Sequence, residues 1–466
     1  MTVQLTTDHT TEGGSAGVLA QVRSVFNTGR TRPVAWREEQ LRAIERMCDE
    51  RESEISAALT ADLGRSTFEA WLGDIASTKA EAAFARKHLR KWMKPARQSV
   101  PLAQMPGRAW VQYDPLGVIL VIGPWNYPFF LCMSPVVAAV SAGNAVVIKP
   151  SELAPATSEL IARLVPQYLD REAVRVVEGA ADATQDLLSQ GFDHALFTGG
   201  TEIGRKIMAA AAPTLTPVTL ELGGKSPVLV LPDADLDVTA RRIAWTKLLN
   251  SGQTCIAPDY VLAHRSIAAA LTDKIVATIA EFRSDQPDPS LRIVNERQFD
   301  RLASLISTTS GKVITGGGSD RATLRIQPTV IVDPSPDDAV MNDEIFGPIL
   351  PIISVDSAEE AVAFVNARPK PLALYVFTAS QERGRELIDR MPSGGAVINH
   401  IAMHCLVPQL PFGGVGASGM GAYHGQWGFE ALSHRRAVLS KPAKPDPGLL
   451  YPPYTDRAMK ILRRLL

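Results

Sequence analysis

The stretch Val118-Ile-Leu-Val-Ile122 contains no polar residue and runs directly into Gly123-Pro124. Similar short apolar stretches follow it, and segments with helical spacing of apolar residues, such as residues 157–169 and 202–212, lie between them. These stretches are Ala145-Val-Val-Ile148, Val174-Arg-Val-Val177 and Ala195-Leu-Phe197. Because continuous apolar strands that alternate with helices form parallel sheets covered on both faces, the pattern predicts an α/β, nucleotide-binding fold.

A second alternation begins after Gly223-Gly224, with Pro227-Val-Leu-Val-Leu231 as its first strand and helical patterns over residues 243–249 and 268–283. The glycine pair therefore marks a predicted joint between two domains. Upstream of both alternations, residues 17–94 have the spacing of helices. Between them and the first sheet, Ala109-Trp-Val-Gln-Tyr113 alternates like a strand that leaves its domain and pairs elsewhere.

Composition sets outer limits on function. A chain of 466 residues is long enough for two or three domains, and 45% hydrophobic with 21% charged residues is typical of a globular protein. The net charge of -1 gives no overall attraction to nucleic acid or anionic membranes. Four cysteines without Cys-x-x-Cys spacing argue against a disulfide framework or structural zinc, so a cytoplasmic location is the default. Neither a signal peptide nor an apolar run of about 20 residues is present.

One cysteine differs from the others in its surroundings. Cys255 lies in the polar stretch Asn250-Ser-Gly-Gln-Thr-Cys-Ile-Ala-Pro258, which is expected to hold its thiol in the open as a nucleophile. Cys48 and Cys132 lie in apolar stretches, where cysteine behaves as a small buried hydrophobe. Cys405 follows two histidines, and the sequence does not decide between a buried and an exposed thiol there.

Two segments are candidates for nucleotide binding. Phe197-Thr-Gly-Gly-Thr-Glu-Ile-Gly204 joins a strand to a helix whose N-terminal N–H groups suit a pyrophosphate, although its glycines do not match G-x-G-x-x-G. A tight turn without a ligand is the alternative. Lys149-Pro-Ser-Glu152 follows a strand, where its charged ends are able to bind ribose hydroxyls. Its alternative is a helix that starts at Pro150-Ser151 with Glu152 in the first turn.

Three polar positions raise questions of catalysis. Glu221, between two leucines, is either a partly desolvated general base or a residue on the wet face of a strand. Asn126, in a rigid aromatic turn, is either a donor to an oxyanion or the centre of an Asx turn. His400-Ile-Ala-Met-His-Cys405 lacks the glutamate of H-E-x-x-H and follows the strand-like residues 396–399, so no metal site is predicted.

Taken together, these segments resemble the aldehyde dehydrogenase superfamily over nearly the whole chain. The motifs that carry the resemblance, in the family's order, are Pro124-Trp-Asn-Tyr-Pro128, Lys149-Pro-Ser-Glu152, Phe197-Thr-Gly-Gly-Thr-Glu-Ile-Gly204, Leu220-Glu-Leu-Gly-Gly-Lys-Ser-Pro227, Gly252-Gln-Thr-Cys255, Glu344-Ile-Phe-Gly-Pro348 and Pro411-Phe-Gly-Gly414. Further segments are similar to the class 3 branch of fatty and aromatic aldehyde dehydrogenases: Lys370-Pro-Leu-Ala-Leu-Tyr375, Ser418-Gly-Met-Gly-Ala-Tyr-His-Gly425 and Ser433-His-Arg-Arg436.

The resemblance implies the roles of the catalytic residues. Cys255 would attack the aldehyde as a thiolate, with its pKa lowered locally or its proton taken by a base. The Asn126 side chain and the Cys255 backbone N–H would hold the oxyanion, and Glu221 would activate the water that releases the acid. The alternatives are a dehydrogenase that passes the acyl group to coenzyme A and a catalytically silent binding protein.

It also implies how a cofactor binds. Lys149 and Glu152 would hold the adenosine ribose, and Gly199 and Gly200 the pyrophosphate, with glycine at 200 where many relatives carry serine. Near the nicotinamide, the residues are Trp125, Glu344 and Phe346. Glu152 would repel a 2′-phosphate, so NAD is the first choice and NADP stays open.

The remaining expectations concern substrate, assembly and the tail. Trp125, Tyr127 and residues 401–404 predict an apolar channel for medium-chain, long-chain or aromatic aldehydes. A cofactor-binding domain is expected over residues 1–94 and 115–222 and a catalytic domain over 223–422. Residues 95–114 and 423–466 would form a small β element for oligomerisation, with a homodimer implied. The basic tail ends in an amphipathic pattern over residues 458–466 that either rests on an anionic membrane surface or stays solvated or packed on a subunit.

Overall fold

The computed structural model describes residues 14–284, 292–446 and 448–465. The N-terminal residues 1–9, for which a frayed end is predicted, and Leu466 lie outside these ranges. The described α-helices are α1 (Gly14–Asn27), α2 (Val34–Glu50), α3 (Glu52–Leu63), α4 (Thr67–Ala70), α5 (Ala76–Trp92), α6 (Phe130–Ala142), α7 (Pro155–Tyr168), α8 (Ala181–Ser189), α9 (Thr201–Ala211), α10 (Leu236–Leu248), α11 (Arg265–Arg283), α12 (Glu296–Thr308), α13 (Ala339–Asn342), α14 (Ala358–Asn366), α15 (Gln381–Asp389), α16 (Gly425–Ala431) and α17 (Asp456–Leu465).

The strands fall into three larger sheets and one small ribbon. They are β1 (Ala96–Gln98), β2 (Arg108–Pro115), β3 (Val118–Ile122), β4 (Ala145–Lys149), β5 (Val174–Val176), β6 (His194–Thr198), β7 (Val218–Glu221), β8 (Pro227–Val230), β9 (Tyr260–His264), β10 (Lys312–Thr315), β11 (Ser319–Asp320), β12 (Arg325–Ile326), β13 (Thr329–Val332), β14 (Ile349–Val355), β15 (Ala373–Phe377), β16 (Gly395–Ile398), β17 (Gly419–Met420) and β18 (Ser433–Ser440).

The first sheet has the order β17-β7-β6-β3-β4-β5. The four strands of the predicted first alternation, β3 to β6, are parallel, as predicted, and β7, which was not part of that prediction, pairs parallel to β6. Strands β3, β4 and β6 are buried at every position, because helices cover both faces. The short strand β17, from far along the chain, adds antiparallel to β7 and sets Gly419 opposite Glu221.

The second sheet has the order β10-β13-β14-β9-β8-β15-β16, and all its pairs are parallel except that of β10 with β13. It is built by the predicted second alternation. Helix α10 begins at an Asp235 cap, whose side chain accepts the N–H groups of Asp237 and Val238. Apolar residues from α10 and α11 pack with the strands in one cluster, which includes Ile243, Leu271 and Ile275.

The third sheet shows where the strand that the sequence predicts to leave its domain finds partners. Strand β2 is the middle strand of a sheet of order β1-β2-β18. Eight residue pairs join β2 to β18, from Ser433 opposite Pro115 to Ser440 opposite Arg108. The partner that the exposed strand requires is therefore the basic segment near the C-terminus.

The tail beyond this sheet forms the predicted helix, α17. Its residues are mostly exposed, with Ile461 and Leu462 partly buried. Across the described ranges, no helix combines the length and the apolar character that crossing a bilayer requires.

Candidate active site

The candidate residues converge on facing edges of the two large sheets. Asn126, Lys149 and Glu221 lie at or just after the carboxyl ends of β3, β4 and β7, which are parallel and so share one edge. Cys255 and Phe346 come shortly before the amino ends of the parallel neighbours β9 and β14. Since open α/β sheets bind ligands beyond the carboxyl ends of their strands, this is the expected place for a site.

The loop that carries Cys255 is fixed by its own polar residues. The Gln253 side chain donates to the Asn250 carbonyl at 3.1 Å and accepts the Val294 N–H at 3.0 Å. The Tyr375 hydroxyl donates to the carbonyl of Ile256 at 2.6 Å. Asn250 has a φ of 51°, in the left-handed region that asparagine tolerates better than most residues. The thiol is thus held by a loop that is bonded on both sides of it.

The expectation of an open Cys255 thiol needs correction. Cys255 is only partly exposed, as is Cys405, whereas Cys48 and Cys132 are buried as predicted. Burial raises the pKa of the Cys255 thiol well above its ordinary value, and the charges of Glu344 and Glu221 raise it further. With its pKa raised in this way, the Cys255 thiol needs a base to accept its proton.

Glu221 is the candidate for that base that the sequence predicts, and its charge acts on the Cys255 thiol. It is 3% exposed, and neither carboxylate oxygen has a hydrogen-bond partner among the described residues. The wet strand face is therefore the wrong alternative. Burial raises the pKa of Glu221 well above its ordinary value. A carboxyl group that is desolvated and unpaired in this way is a stronger base than an exposed one, which suits it to general-base chemistry.

Asn126 makes a long-range contact instead of an Asx turn. Its amide Nδ2 donates to the carbonyl of Gln253 at 3.2 Å, two residues before Cys255, and the residue is 4% exposed. The Asn126 carbonyl accepts from Asn250 Nδ2 at 2.9 Å. The amide is thereby fixed against the loop of the thiol.

Lys149 and Glu152 form an ion pair at the end of β4. The ammonium lies 2.7 Å from Glu152 Oε2, and Lys149 is 3% exposed while the Glu152 side chain is 43% exposed. Helix α7 begins at Pro155, so Glu152 lies in the turn before the helix and not in its first turn. The carboxylate is oriented by the lysine and accessible to a ligand.

The glycines after β6 leave room for a ligand. A Cβ at Gly199 would lie 2.4 Å from the ring of Phe197, so the backbone can approach closely only with glycine. At Gly200 nothing lies within 4 Å of that position, and Gly200 precedes the first turn of α9. Open space in front of a helix N-terminus fits the pyrophosphate of a dinucleotide.

Glu344 and Phe346 lie near the glycine pair at the predicted domain joint and near Trp125. A Cβ at Gly223 would lie 1.9 Å from Glu344 Oε2, so the carboxylate lies against the backbone of the joint. Burial raises the pKa of Glu344 to about 8, and the charge of Asp259 raises it too. The rings of Phe346 and Trp125 meet edge to face with centroids 5.3 Å apart. Phe346 and Trp125 are thus in direct contact, and Glu344 lies against the backbone at Gly223.

Residues beyond the predicted set also reach this region. Arg65 and Asp74 form a buried ion pair next to Asn126, and Tyr423, 1% exposed, has a hydroxyl without a partner among the described residues. Tyr423 could have been identified from the sequence, because it stands in a motif quoted for the class 3 resemblance. Arg65 could not have been identified from the sequence, because an arginine at the end of a helix normally points into solvent.

The segment that follows β16, the last strand of the second sheet, carries the residues for which a substrate channel is predicted. The predicted strand ends at Ile398, and residues 403–406 form a short 3-10 helix. His404 packs on Phe412 with ring centroids 5.8 Å apart. Among the residues that the structure describes, no group of three or more His, Cys, Asp or Glu side chains is arranged to hold a metal ion.

Comparisons with known proteins agree with this geometry. The family described as the aldehyde dehydrogenase family matches residues 7–438. The chain is 47% identical to mouse aldehyde dehydrogenase family 3 member A2 over 94% of this chain and 91% of that protein. It is 44% identical to the dog aldehyde dehydrogenase named "dimeric NADP-preferring", over 94% of this chain and 97% of the other.

Among solved structures, the substrate-bound state of Staphylococcus aureus AldH matches with a TM-score of 0.93 and 39% identity, covering 97% of this chain and 99% of that one. The likeness therefore extends over both large sheets and the third sheet, and it includes the facing edges where the candidate residues meet. On this evidence the chain belongs to the aldehyde dehydrogenase family and is an NAD(P)-dependent aldehyde dehydrogenase.

Proposed function

We propose that Cys255 forms a covalent thiohemiacetal and then a thioester with the aldehyde, and that Glu221 directs water to release the carboxylic acid. The carrying observation is the convergence of a buried, unpaired Glu221 carboxyl and the Asn126 amide on the loop of Cys255. Splitting the oxidation into two covalent halves lowers each barrier.

In the first half, the thiol must lose its proton. The Glu221 charge is one cause of the raised pKa of Cys255, so both groups are not readily negative together. Transfer of the proton from the thiol to Glu221, directly or through water, removes this repulsion and leaves a thiolate beside a neutral acid. The thiolate attacks the carbonyl carbon, and the oxygen becomes an oxyanion that the Asn126 amide and the Cys255 N–H stabilise.

The cofactor residues complete the first half. When bound, the dinucleotide supplies a hydride acceptor. Lys149 and Glu152 are proposed to hold its adenosine ribose, with Gly199 and Gly200 at the pyrophosphate. Glu344, Phe346 and Trp125 are proposed to orient the nicotinamide end. The open space at Gly200 and the Lys149–Glu152 pair support this assignment.

In the second half, Glu221 acts as a base. Once it has released its first proton to solvent, its carboxylate takes a proton from water, and the resulting hydroxide attacks the thioester. The oxyanion forms again at the same two donors, and collapse expels the Cys255 thiolate. A buried carboxyl without a hydrogen-bond partner is suited to this role, and it disfavours the alternative in which coenzyme A accepts the acyl group.

The proposed substrates are medium-chain, long-chain or aromatic aldehydes. Support comes from the aromatic groups Trp125, Tyr127 and Phe412 near the site and from the exposed apolar side chains of Leu406, Val407 and Leu410 beyond it. In an NADH-formation screen, we expect hexanal and benzaldehyde to have higher kcat/KM than short charged semialdehydes. Faster oxidation of the charged substrates would contradict the proposed channel.

We expect NAD to be preferred, because the exposed Glu152 carboxylate would repel a 2′-phosphate. In Glu152→Gln, the ratio of kcat/KM with NADP to that with NAD should rise by roughly tenfold, which corresponds to about 1.4 kcal/mol. Glu159→Gln, which removes an exposed carboxylate from the adjacent helix α7, is the matched control and should leave the ratio unchanged. A tenfold preference of the unaltered enzyme for NADP would overturn the assignment.

We propose a cytoplasmic homodimer. Its cofactor-binding part would comprise residues 1–94 and 115–222, its catalytic part residues 223–422, and its contact element residues 95–114 and 423–466. The β1-β2-β18 sheet, whose outer strands have no further partner among the described residues, supports the contact element. Light scattering of the protein as it elutes from a size-exclusion column measures its molar mass, which should be that of two subunits.

A further inference from the structure

Arg65 is the most deeply buried arginine near the site and has no part in the proposed chemistry. It is 1% exposed and pairs with Asp74, which is fully buried. A buried ion pair is costly to desolvate and is weak evidence for stability. The contacts of the two side chains must therefore be considered for another role.

The guanidinium binds three acceptors in different segments. It donates to Asp74 Oδ2, to the backbone carbonyl of Asn126 and, at 3.3 Å, to Asn250 Oδ1. Its central carbon also lies 4.1 Å from the centroid of the Tyr127 ring. Arg65 thus joins the residue with the oxyanion amide to the residue that begins the loop of Cys255.

Asp74 anchors the opposite side of the same turn. Its Oδ1 accepts the N–H groups of Phe129 and Phe130 at 3.1 and 2.9 Å, where the turn of Asn126 enters α6. Asp74 itself lies in a π-helical turn, Trp71–Ile75, a rare conformation that is frequent at functional sites. Within that turn, a Cβ at Gly73 would lie 2.9 Å from the Tyr127 ring, so the turn fits closely against the site.

We infer that Arg65 is a positioning residue, which with Asp74 holds the Asn126 amide against the Cys255 loop in the geometry that stabilises the oxyanion. The inference rests on the proposed role of Asn126. Asn250 supports the same arrangement, because its Nδ2 donates both to the Asn126 carbonyl and to the Gln253 carbonyl, at 2.9 and 3.1 Å. No other side-chain donor to the Asn126 carbonyl is present among the described residues.

The chemistry requires arginine and not merely a positive charge. A planar guanidinium offers five N–H donors in a fixed fork, whereas the lysine ammonium is a single point on a flexible chain. Lysine at 65 would keep the charge opposite Asp74, yet it would not reach Asp74, Asn126 and Asn250 together. Arg65→Lys therefore separates positioning from charge compensation.

The oxyanion forms in both halves of the reaction, so kcat should fall whichever half limits turnover. We expect Arg65→Lys to lower kcat by roughly 10- to 100-fold, less than complete removal of an oxyanion donor, while the aldehyde KM changes by less than about threefold. Alkylation of Cys255 by iodoacetamide needs the thiolate but forms no oxyanion, and its rate should stay within about twofold. Asp74→Asn should give the same pattern and serves if Arg65→Lys does not fold.

The matched control is Arg37→Lys. Arg37 is 4% exposed and donates to the carbonyls of Arg32 and Ser141, in contact with α6 but outside the proposed site. Thermal unfolding should show a loss of stability in both variants, with kcat reduced only for Arg65→Lys. Equal losses of kcat in both variants, or a parallel slowing of Cys255 alkylation in Arg65→Lys, would show a general structural role and overturn the inference.

A double-mutant cycle with Asn126→Ala separates this inference from the proposed function. If Arg65 acts through the Asn126 amide, Arg65→Lys should cost little further activity once that amide is absent. Full additivity of the two losses would overturn the positioning role. If Asn126→Ala alone leaves kcat unchanged, the oxyanion assignment fails, and any loss in Arg65→Lys then has another origin.

Discussion

Cys255→Ser should lower kcat/KM for aldehyde oxidation by about 10⁴-fold, equivalent to about 5 kcal/mol of transition-state stabilisation. The hydroxyl of serine is far less acidic than a thiol, and the site does little to help, since burial already raises the pKa of the thiol it replaces. The measurement is steady-state NADH formation at saturating cofactor. Because the side chains are similar in size, the melting temperature should barely change.

The control for this variant is Cys48→Ala. Cys48 is buried in α2, and burial raises the pKa of its thiol to about 12. Its removal should reduce stability modestly and leave kcat/KM within about threefold of the original value. In peptide mapping after incubation with aldehyde and cofactor, the acyl group should be found on Cys255. Residual activity of Cys255→Ser above a few per cent would eliminate the covalent mechanism.

Glu221→Gln should slow acylation, because Glu221 no longer takes the thiol proton, and should slow thioester hydrolysis more strongly, so that the thioester accumulates. At a pH high enough for the Cys255 thiol to ionise without Glu221, the expected signature is a burst of about one NADH per active site, followed by a steady state about 10³-fold slower than that of the original enzyme. The substitution preserves side-chain volume, and no hydrogen bond to either oxygen is lost among the described residues. Intact-protein mass spectrometry should show the acyl adduct, and hydroxylamine, which needs no general base, should release it.

The pH dependence of this step follows from the sign of the shift. Burial raises the pKa of Glu221, and its basic form exists above that pKa, so thioester hydrolysis should accelerate as pH rises through it. Glu221→Gln should abolish that limb of the profile. Glu81→Gln is the comparison, since Glu81 is also buried but accepts the Gly425 N–H at 2.6 Å. Glu81→Gln should show no burst, and the absence of a burst in Glu221→Gln at that high pH would contradict the role of Glu221 after acylation.

The sequence predicts the strands well because the strong period and apolar character of buried parallel strands are local properties. Every strand proposed from β3 to β8 appears within about two residues of its predicted bounds. The pairing partner of β2 could not be predicted from the local sequence. Its partner β18 lies more than 300 residues along the chain, and a strand pattern carries no information about such a distant neighbour.

At the site, the sequence identifies the reacting groups but not their environments. Asn126, Glu221 and Cys255 stand in motifs of high specificity, so their proximity was predictable from the family resemblance. Whether Cys255 is open and Glu221 wet depends on tertiary burial, and both points required the structure. Arg65 was beyond prediction, because only the folded turn brings Asp74, Asn126 and Asn250 around its guanidinium.

The division of the active groups between the facing edges of two sheets has a consequence for the way the enzyme fails. Thiol and base lie on two separate sheets, so their alignment depends on the contacts between those sheets. Mild heating or dilute denaturant that weakens the contacts between the sheets would abolish activity while far-ultraviolet circular dichroism still shows intact secondary structure. We therefore expect activity to be lost before secondary structure, and activity should report on the contacts between the two sheets.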